Sequence, residues 1–381
     1  MIADNERTDR IFMRMAIREA RKGVGMTRPN PPVGAVVVGA DGTVLGRGYH
    51  HKAGGPHAEV NAVRDCGAAD LSSATIYVTL EPCSTTGRTP PCTDLLVGRK
   101  LRRVVIGCTD PNPKHAGRGV GILRAAGMEV DAGVCEDECR ELIAPFASTM
   151  LRHRPHLTLK LAMTLDGKIA DRDGKSKWIT GADSRGFVQR LRADADAILV
   201  GSGTVLADDP QLICRLRGRK AGAWRVVVDS RGRLPATARI LTDEYAAQTL
   251  VATTEAGAAA LAAKFPKDSA HSTWKLPSAS DGHVDLAALF ERLTSELGVM
   301  EVLCEGGGEL AGALLRAGLV DRLVLFYAPV VLGDQSARPG FAGLDLPLSA
   351  GRLSPASRKI RTFGDDVAFI LDLAPTPKEN P

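Results

Sequence analysis

Aromatic residues are scarce in this sequence of 381 residues, in which Phe, Tyr and Trp together account for 4%. Proteins that bind single-stranded nucleic acid without sequence preference stack its bases on exposed aromatic rings, so the scarcity argues against that function. No apolar run approaches the roughly 20 residues of a membrane-spanning helix. The polar N-terminal segment also lacks the apolar core of a signal peptide. We therefore expect a cytoplasmic protein that spans no membrane and binds no nucleic acid.

Charge of neither sign is concentrated in one part of this chain. The formal net charge is +5, and the Lys and Arg residues are spread along the sequence instead of forming a basic run. A mildly basic chain of this kind favours anionic small molecules such as phosphates as ligands, with nucleic acid as the weaker alternative. The eight cysteines show no disulfide framework, which fits a reducing cytoplasm.

The length of the chain predicts two domains, since a single hydrophobic core rarely serves 381 residues. The short polar segment 152–155 is the expected boundary, which gives domains at 1–150 and 155–375. In the first domain, one helix and two strands precede alternating helices and strands, a pattern that predicts α/β layers around an open sheet. In the second domain, several strands end in loops rich in Ser, Thr, Asp and Gly, where ligands of α/β proteins bind.

Four further segments have predictions that concern local structure. Cys135 and Cys139 fall on one predicted helix, 136–148, where they would share a buried face, and no nearby His or Cys completes a metal set. The Ala- and Ser-rich stretches 254–264 and 268–284 predict peripheral helix and loop. The tail 374–381 is expected to be disordered.

The strongest signal for function is a set of one histidine and two cysteines between positions 57 and 92. His57 and Glu59 stand in the segment His-Ala-Glu, Cys83 follows Glu-Pro, and Cys92 follows Pro-Pro. An imidazole and two thiolates bind zinc and leave the fourth tetrahedral position for water, as in catalytic zinc sites. Glu59 is placed to move protons to and from that water, which is typical of zinc-dependent deaminases. The predicted ligands of one zinc ion per chain are thus His57, Cys83 and Cys92, with Glu59 as the catalytic acid and base.

The spacing of His57 and Glu59 constrains the local backbone. Residues two apart in a helix lie about 200° apart around its axis, so the pair cannot face one ion from the middle of a helix. It can do so in the first turn, and the segment 54–56 (Gly-Gly-Pro) supplies the entry to a helix that continues from 58 to 63. Cys92 should open the next helix, whose N-terminal N–H groups stabilise a thiolate.

Several polar features have two interpretations each. Asn30 lies in a Pro-rich loop before an apolar strand, either as a turn former or as an amide that hydrogen-bonds a pyrimidine edge. His50 and His51 precede the helix entry, where either one of them faces the pocket or both are solvated. The strand 301–304 runs into three glycines that open a helix, which is either a phosphate site or a tight turn without a ligand.

These motifs resemble those of a known family, the bifunctional riboflavin-biosynthesis deaminase–reductase family. In the first half the similar segments are 27–34 (Thr-Arg-Pro-Asn-Pro-Pro-Val-Gly), His57-Ala58-Glu59, and Cys83 followed by Gly87, Pro90, Pro91 and Cys92. They imply a cytidine-deaminase-like three-layer α/β domain. In the second half the similar segments are 159–169, 176–180, 203–210, 229–230 and 305–315. They imply the family's reductase domain, with a dihydrofolate-reductase-like α/β fold.

The resemblance implies two consecutive reactions on a phosphorylated pyrimidine. The first hydrolyses the amine at the pyrimidine 2-position of 2,5-diamino-6-(5-phospho-ribosylamino)pyrimidin-4-one, giving the uracil and ammonia, with zinc as cofactor. The second reduces the ribosyl side chain to ribityl with NADPH. The family also implies a homo-oligomer, either a dimer or a tetramer.

The family match also assigns residues in the second domain. The residues expected to hold NADPH are Ala162, Trp178, Thr204, Asp208, Ser230, Gly307, Gly308, Glu309, Leu310, Ala311, Gly312 and Ala313. The residues expected to hold the sugar phosphate are Ser176, Arg192, Leu212, Arg215 and Glu305. Arg192 and Arg215 suit a phosphate clamp, although each taken alone is equally a solvated surface cation. Asp208 is the candidate polar group near the reacting carbon, or else a turn residue.

Two other functions compete with this one. A base deaminase acting on RNA would share the zinc motif, but it needs a basic, aromatic-lined groove and leaves the second domain without a role. The eight-residue gap between Cys83 and Cys92 also differs from the Cys-x-x-Cys spacing usual in such enzymes. A non-catalytic protein would instead hold a structural zinc ion with a fourth protein ligand, and it would lose nothing on the change Glu59→Ala.

Overall fold

The computed structural model of the chain describes residues 2–86, 90–218, 222–266, 268–344, 346 and 353–373, with side chains from residue 6 onward. The chain divides into two compact units, Met1–His153 (unit 1) and Arg154–Pro381 (unit 2). Among the described residues, no helix combines the length and the apolar character that crossing a bilayer requires. The tail 374–381, for which the sequence predicts disorder, lies outside the described residues.

Unit 1 is built from a five-stranded sheet with helices on both faces. Its elements are α1 (Ile2–Arg21), β1 (Gly34–Val38), β2 (Val44–Tyr49), α2 (Ala58–Asp65), β3 (Thr75–Leu80), α3 (Cys92–Gly98), β4 (Arg103–Cys108), α4 (Arg118–Ala125), β5 (Glu129–Ala132), α5 (Glu136–Leu142) and α6 (Ala144–Arg152). The strands lie in the order β2-β1-β3-β4-β5, with antiparallel pairs up to β3 and parallel pairs beyond it. All six residues of the central strand β3 are buried, because helices cover both faces of the sheet.

Alternate residues of the central strands enter opposite helical layers. On β1, Val36 belongs to the buried cluster that contains Met13 and Ile17 of α1. The next residue, Val37, belongs to the cluster that contains Ala62 of α2. Helices α1 and α5 therefore cover one face, and α2, α3 and α4 cover the other. This arrangement confirms the three-layer α/β fold predicted for the N-terminal domain.

Two glycines in β2 allow α2 to pack directly on the backbone of that strand. A Cβ added to Gly48 would collide with the Ala62 backbone N, and a Cβ added to Gly46 would collide with the Ala62 carbonyl O. Because glycine has no Cβ, the helix and the strand can approach this closely. The close contact fixes α2, and with it the residues of its first turn, relative to the sheet.

A buried ionic network joins α1 to the sheet of unit 1. The Arg103 guanidinium donates to Asp9 Oδ1 at 2.8 Å and to Asp9 Oδ2 at 2.7 Å, and the Tyr77 hydroxyl donates to Asp9 Oδ1 at 2.8 Å. Asp9 is 6% exposed, so these donors replace the water that its carboxylate loses on folding. Burial, followed by the hydrogen bond to Asp9, raises the pKa of Tyr77.

Unit 2 contains a nine-stranded, mainly parallel sheet. Its elements are β6 (His156–Thr164), β7 (Lys168–Ala170), α7 (Ala182–Asp194), β8 (Ala197–Gly201), α8 (Ser202–Asp208), β9 (Trp224–Val228), α9 (Arg239–Thr242), a 3₁₀ turn (Ala246–Gln248), β10 (Thr249–Thr253), α10 (Glu255–Ala262), β11 (Ser272–Lys275), α11 (Leu286–Leu297), β12 (Glu301–Cys304), α12 (Gly308–Arg316), β13 (Arg322–Ala328), β14 (Arg338–Pro339), β15 (Pro355–Phe363) and β16 (Asp366–Leu373). The strand order is β11-β10-β9-β8-β12-β6-β13-β16-β15, and among the described strands of this sheet β16 alone runs in the direction opposite to the others. β7 and β14 form a separate two-stranded ladder. This α/β architecture confirms the predicted fold class.

Two local predictions are wrong. The predicted helix 136–148 is divided into α5 and α6, because Pro145 at the start of α6 has no backbone N–H with which to continue α5. Cys135 precedes α5 with a φ of 55°, and its thiol and that of Cys139 are buried in the same hydrophobic cluster, as expected. The segment 268–284 was predicted as loop, but it contains the edge strand β11.

A buried arginine ties the sheet of unit 2 to α9. Arg225 on β9 is 1% exposed, and its Nη2 donates to Asp243 Oδ1 at 2.8 Å and to Thr249 Oγ1 at 2.7 Å. The same nitrogen donates to the Ile240 carbonyl at 2.8 Å. Burial alone would raise the pKa of Asp243, but the hydrogen bonds and charge of Arg225 outweigh this effect and lower that pKa. The pair is therefore a buried ionic contact in which both oxygens of the Asp243 carboxylate accept from Arg225, while the buried Arg225 Nε has no hydrogen-bond partner among the described residues.

We expect the change Asp243→Asn to lower the free energy of unfolding of unit 2 by about 3–5 kcal/mol, because it leaves the buried guanidinium without its counterion. All three tryptophans lie in unit 2, so tryptophan fluorescence in a urea titration measures this transition. The exposed pair of Glu255 and Lys275 supplies a control, and Glu255→Gln should change the free energy little. Equal effects of the two changes would contradict the role given to Arg225.

Candidate functional site

The predicted metal ligands come from separate segments of unit 1 that converge on one point. His57 is the residue before α2, in extended backbone with φ −72° and ψ 168°, and Glu59 lies in the first turn of that helix. Cys83 follows β3, and Cys92 is the first residue of α3. Gly87, which belongs to the same motif, lies outside the described residues.

The ligand atoms of the His and the two Cys residues lie within 4.8 Å of one another. His57 Nδ1 lies 3.3 Å from Cys92 Sγ and 3.5 Å from Cys83 Sγ. Atoms that bind one tetrahedral zinc ion, each at about 2.0 to 2.3 Å from it, are separated by distances of this size. Among the described residues, no other group of three or more His, Cys, Asp or Glu side chains is this compact. The donor set therefore fits zinc with three protein ligands.

The two thiols differ in acidity because they face each other. Hydrogen bonds from the Cys92 thiol, from His57 and from the Cys92 backbone N–H lower the pKa of Cys83 to about 4. The hydrogen bond between the two thiols, together with burial, raises the pKa of Cys92. These opposite shifts describe one proton shared by the pair, and a coordinated cation would ionise both sulfurs.

Glu59 lies beside this cluster and is buried, with 3% of its surface exposed. Burial, followed by the negative charge of Cys83, raises the pKa of its carboxyl. A carboxyl whose pKa is raised toward neutrality exchanges protons readily, as general acid–base catalysis requires. The position and the environment of Glu59 therefore suit the catalytic role predicted for it.

The structure separates the two histidines that precede the helix entry. His50 is 2% exposed, and its ring lies 5.3 Å from the His57 ring in an edge-on arrangement, whereas His51 is exposed. The His50 Nε2 is 3.1 Å from Asn30 Nδ2, and its Nδ1 is 3.0 Å from the Pro56 carbonyl O. Burial lowers the pKa of His50, which favours a neutral ring that accepts from the amide and donates to the carbonyl. Asn30 is thus linked through His50 to the predicted ligand His57, and its role stays a prediction.

Unit 2 contains a cavity of about 1770 Å³ at the carboxyl ends of β6, β8, β9 and β12. Pockets for single small molecules usually measure about 300 to 1000 Å³, so this cavity has room for two ligands. Most of the residues predicted to bind NADPH or the sugar phosphate line it. They are Ala162, Ser176, Trp178, Arg192, Thr204, Asp208, Leu212, Arg215, Ser230, Glu305, Gly307, Gly308, Glu309, Leu310 and Ala313.

Two residues predicted to bind the dinucleotide lie outside the cavity lining. Ala311 is fully buried in the hydrophobic core of unit 2. Gly312 packs so closely on the Ala342 carbonyl that an added Cβ would collide with it. Both positions turn away from the cavity because successive residues of α12 point in different directions around the helix axis. Their placement therefore does not support the cofactor contacts predicted for them.

The glycine turn between β12 and α12 presents its backbone to the cavity. Gly306 and Gly307 have φ values of 130° and 86°, which side chains other than hydrogen strongly disfavour. No side chain caps the first turn of α12, and its N–H groups are of the kind that bind phosphate. The Thr204 Oγ1 faces this turn, at 3.4 Å from where a Gly307 Cβ would stand. These features of the backbone fit the interpretation of the turn as a phosphate site, which stays a prediction.

An ion pair between Arg192 and Glu305 lines the same cavity. Arg192 Nε and Nη2 donate to the Glu305 carboxylate at 2.5 Å and 2.9 Å, and Arg192 Nη1 donates to the Ile213 carbonyl at 2.9 Å. Burial alone would raise the pKa of Glu305, but the charge and hydrogen bonds of Arg192 outweigh it and lower that pKa. Because Arg192 is engaged by a carboxylate, Arg215 is the better candidate for a phosphate clamp.

Lys160 is a residue of the cavity lining that the sequence analysis does not single out. It lies on β6 between Leu159 and Leu161, which are both buried. Burial lowers the pKa of Lys160, and the Glu305 carboxylate opposes that shift. A lysine in the middle of a central parallel strand is costly for folding, because such strands are covered on both faces. This break in an apolar run is the sequence signal that could have indicated a functional group.

The lining of the cavity carries more cations than anions. Ten Lys and Arg residues line it against six Asp and Glu residues, a surplus of four positive charges. One of the six, Asp208, accepts a hydrogen bond from Ser176 Oγ at 3.4 Å and lies 3.8 Å from Lys177 Nζ. A lining of this charge favours phosphorylated ligands.

Two sequence families match the two units separately. The zinc-binding region of cytidine and deoxycytidylate deaminases matches residues 6–108, and the RibD C-terminal domain matches residues 155–369. The riboflavin biosynthesis protein RibD of Aquifex aeolicus is 40% identical over 365 residues, which cover 95% of this chain and 98% of that protein.

Solved structures of similar proteins have the same fold over almost the whole chain. Form 1 of Acinetobacter baumannii RibD matches with a TM-score of 0.81 and 38% identity, covering 97% of this chain and 99% of that one. A Thermotoga maritima structure matches with a TM-score of 0.82 and 36% identity, covering 97% of this chain and 100% of that one. The latter is described as a diaminohydroxyphosphoribosylaminopyrimidine deaminase/5-amino-6-(5-phosphoribosylamino)uracil reductase.

We expect the purified chain to hold one zinc ion, and Cys83→Ser to remove most of it, because a serine hydroxyl stays protonated near neutral pH and binds zinc weakly. Inductively coupled plasma mass spectrometry measures the zinc content per chain. The control is Cys66→Ser, since Cys66 is a half-buried thiol of the same unit that donates to the Ala62 carbonyl at 3.2 Å. Equal zinc loss from both variants would contradict the ligand assignment.

Proposed function

The chain belongs to the RibD family of riboflavin-biosynthesis enzymes, and from this premise we propose that unit 1 carries out its deamination and unit 2 its reduction. The chain is a bifunctional deaminase and reductase with zinc and NADPH as cofactors. The division between the units is supported by the family matches, since the zinc-binding region falls in unit 1 and the RibD C-terminal domain falls in unit 2.

The proposed substrate of unit 1 is 2,5-diamino-6-(5-phospho-ribosylamino)pyrimidin-4-one, whose 2-amine is replaced by oxygen with release of ammonia. The observation that carries this assignment is the convergence of His57, Cys83 and Cys92 within 4.8 Å beside the buried Glu59. The proposed substrate of unit 2 is the resulting aminouracil, whose ribosyl side chain is reduced to ribityl. The large cavity with its cationic lining supports this second assignment.

In unit 1, the chain's own contribution to the chemistry is proton transfer by Glu59. Bound zinc would supply Lewis-acid chemistry, which makes water a nucleophile near neutral pH. Glu59 takes a proton from the water that attacks the pyrimidine C2 and delivers it to the adjacent ring nitrogen. A further transfer through the same carboxyl helps the amine to leave as ammonia. Burial suits these steps, because the raised pKa lets the carboxyl hold the proton between them.

We expect Glu59→Gln to lower the rate of ammonia release by about 10²–10⁴-fold, because the amide cannot carry the proton. Zinc content and NADPH oxidation with added aminouracil phosphate should stay at the level of the unchanged chain, since no ligand and no residue of unit 2 is altered. A glutamate dehydrogenase assay for ammonia and absorbance at the NADPH band measure the two reactions separately. Glu138→Gln is the control, because Glu138 forms an exposed ion pair with Arg14. Full ammonia release by the Glu59 variant would refute the proposed role.

In unit 2, the chain's own contribution is to hold the sugar phosphate and to supply a proton. Bound NADPH would supply the hydride. Reduction at C1′ of the ribosyl group would break the C1′–O4′ bond, and O4′ would then need a proton. We assign this proton to Lys160, because burial lowers its pKa and makes its ammonium group a stronger acid. Glu305, held in place by Arg192, is a fixed acceptor for sugar hydroxyls.

We expect Lys160→Met to lower kcat for NADPH oxidation by about 10²–10⁴-fold, with ammonia release unchanged, because the proton donor is lost and unit 1 is not altered. Stopped-flow absorbance under saturating NADPH measures the reduction directly. Lys275→Met serves as the control, since Lys275 is an exposed residue of the same unit. Asp208→Asn tests Asp208 as the alternative proton donor. If this change abolishes reduction while Lys160→Met does not, the proton comes from Asp208.

We also propose that the chain acts on the free phosphorylated pyrimidine rather than on nucleic acid, and that it works in the cytoplasm as a homo-oligomer. The scarcity of aromatic residues supports the first point, and the family resemblance suggests a dimer or a tetramer. Neither the RNA base deaminase nor the non-catalytic zinc protein is favoured. The similarity to RibD extends over 95% of the chain and gives the second unit a function of its own.

A further inference from the structure

A buried glutamate, Glu81, lies two residues before the predicted ligand Cys83 and accepts hydrogen bonds from the segment 110–120. Glu81 is 5% exposed. Its Oε2 accepts from the backbone N–H groups of Asp110 at 3.2 Å and Gly117 at 2.9 Å. Its Oε1 accepts from those of Gly119 at 2.8 Å and Val120 at 3.3 Å. One carboxylate thus satisfies four backbone donors that lie 29 to 39 residues farther along the chain.

These donors belong to the loop after β4 and to the first turn of α4. The first N–H groups of a helix have no partner within the helix and need an acceptor from elsewhere. Gly117, the residue before α4, has no side chain with which to cap it. The Glu81 carboxylate takes the place of that cap, and the positive end of the helix dipole favours its negative charge.

The same contact fixes the backbone that leads to Cys83. A Cβ added to Gly119 would collide with the Pro82 carbonyl, so the first turn of α4 lies directly against the segment between the glutamate and the thiol. From α3, the Thr93 N–H donates to the Cys83 carbonyl at 3.2 Å. Glu81 itself is held by its N–H, which donates to the Cys108 carbonyl at 2.9 Å. Cys83 is therefore held from both sides.

We propose that Glu81 is a positioning residue for the metal centre, which sets the Cys83 thiolate in its place by capping α4 from outside. This inference rests on the proposed function, because it takes Cys83 as a zinc ligand. A ligand that is fixed before the ion arrives loses little further freedom on binding, so zinc affinity depends on what fixes it. The side chain must be a carboxylate, since a glutamine would turn its NH₂ group toward two of the four N–H donors.

The test compares Glu81→Gln and Gly119→Ala with Asp9→Asn in the full chain. Glu81→Gln changes the carboxylate of the contact with α4, and Gly119→Ala changes the first turn of α4 that lies against it. Asp9→Asn weakens another buried carboxylate network of unit 1, in which Asp9 accepts from Arg103 and Tyr77 instead of from α4. Zinc affinity is measured by competition with a chelator, and the thiolate-to-cobalt absorption of the cobalt(II) form reports the sulfur ligands. NADPH oxidation by unit 2 shows that each chain is otherwise intact.

We expect Glu81→Gln and Gly119→Ala to weaken zinc binding by about 10- to 100-fold, as the loss of groups that orient metal ligands does, and to reduce the cobalt absorption. Asp9→Asn should lower the melting temperature while its zinc affinity stays unchanged. If Glu81→Gln and Gly119→Ala melt earlier but bind zinc as the unchanged chain does, Glu81 serves stability alone and the inference is refuted. Should Gly119→Ala not fold, Glu81→Gln decides, since it keeps the length and one oxygen of the side chain.

A separate outcome distinguishes this inference from the proposed function. If Cys83→Ser retains zinc and ammonia release, the ligand assignment fails, and with it both proposals. If Cys83→Ser loses zinc while Glu81→Gln keeps it, only the inference about Glu81 fails. Hydrogen exchange at the Gly119 and Val120 amides provides an independent measurement, because Glu81→Gln should remove their protection while the amides of β3 keep theirs.

Discussion

The chemistry of unit 1 depends on bringing two thiolates and an imidazole within reach of one ion. Thiolates repel each other, and the hydrogen bond between Cys83 and Cys92 lowers the pKa of the first thiol and raises that of the second, so two negative charges are disfavoured here without a cation. The protein backbone must therefore hold the ligands together before a metal compensates them. It does so with the ends of three regular elements: the start of α2, the end of β3 and the start of α3. The glycines of β2 contribute as well, because they let α2 pack directly on the sheet and so fix the position of its first turn.

In unit 2, charged side chains of the cavity are stabilised by one another. Its cavity contains charged groups that are hard to remove from water, and each of the central ones is compensated by another. Arg192 neutralises Glu305, and Glu305 in turn moderates the effect of burial on Lys160. The result is a polar surface of fixed orientation at the carboxyl ends of parallel strands, where a cofactor and a substrate can lie side by side. Both units thus place function at strand ends and leave stability to the layers beneath.

The fold class and the convergence of His57, Cys83 and Cys92 could be predicted from the sequence because their signals are local. The first turn of a helix explains the spacing of His57 and Glu59, and alternating helices and strands indicate α/β layers. The partners of charged residues could not be predicted in this way. Arg192 and Glu305 are 113 positions apart, and only the packing of α7 beside β12 brings them together. The division of the predicted helix 136–148 has a local cause instead, because Pro145 has no backbone N–H with which to continue α5.

The surplus of positive charge around the cavity of unit 2 also bears on kinetics. Field lines from ten cations gathered in one concave surface extend into solvent and attract anions before any contact forms. Both ligands proposed for unit 2 carry phosphate groups, so diffusion toward the cavity would be guided for each of them. Dissolved ions shorten the range of such guidance to about 8 Å at physiological ionic strength. The rate of encounter, more than the rate of the hydride step, is therefore the property of this enzyme that added salt should slow.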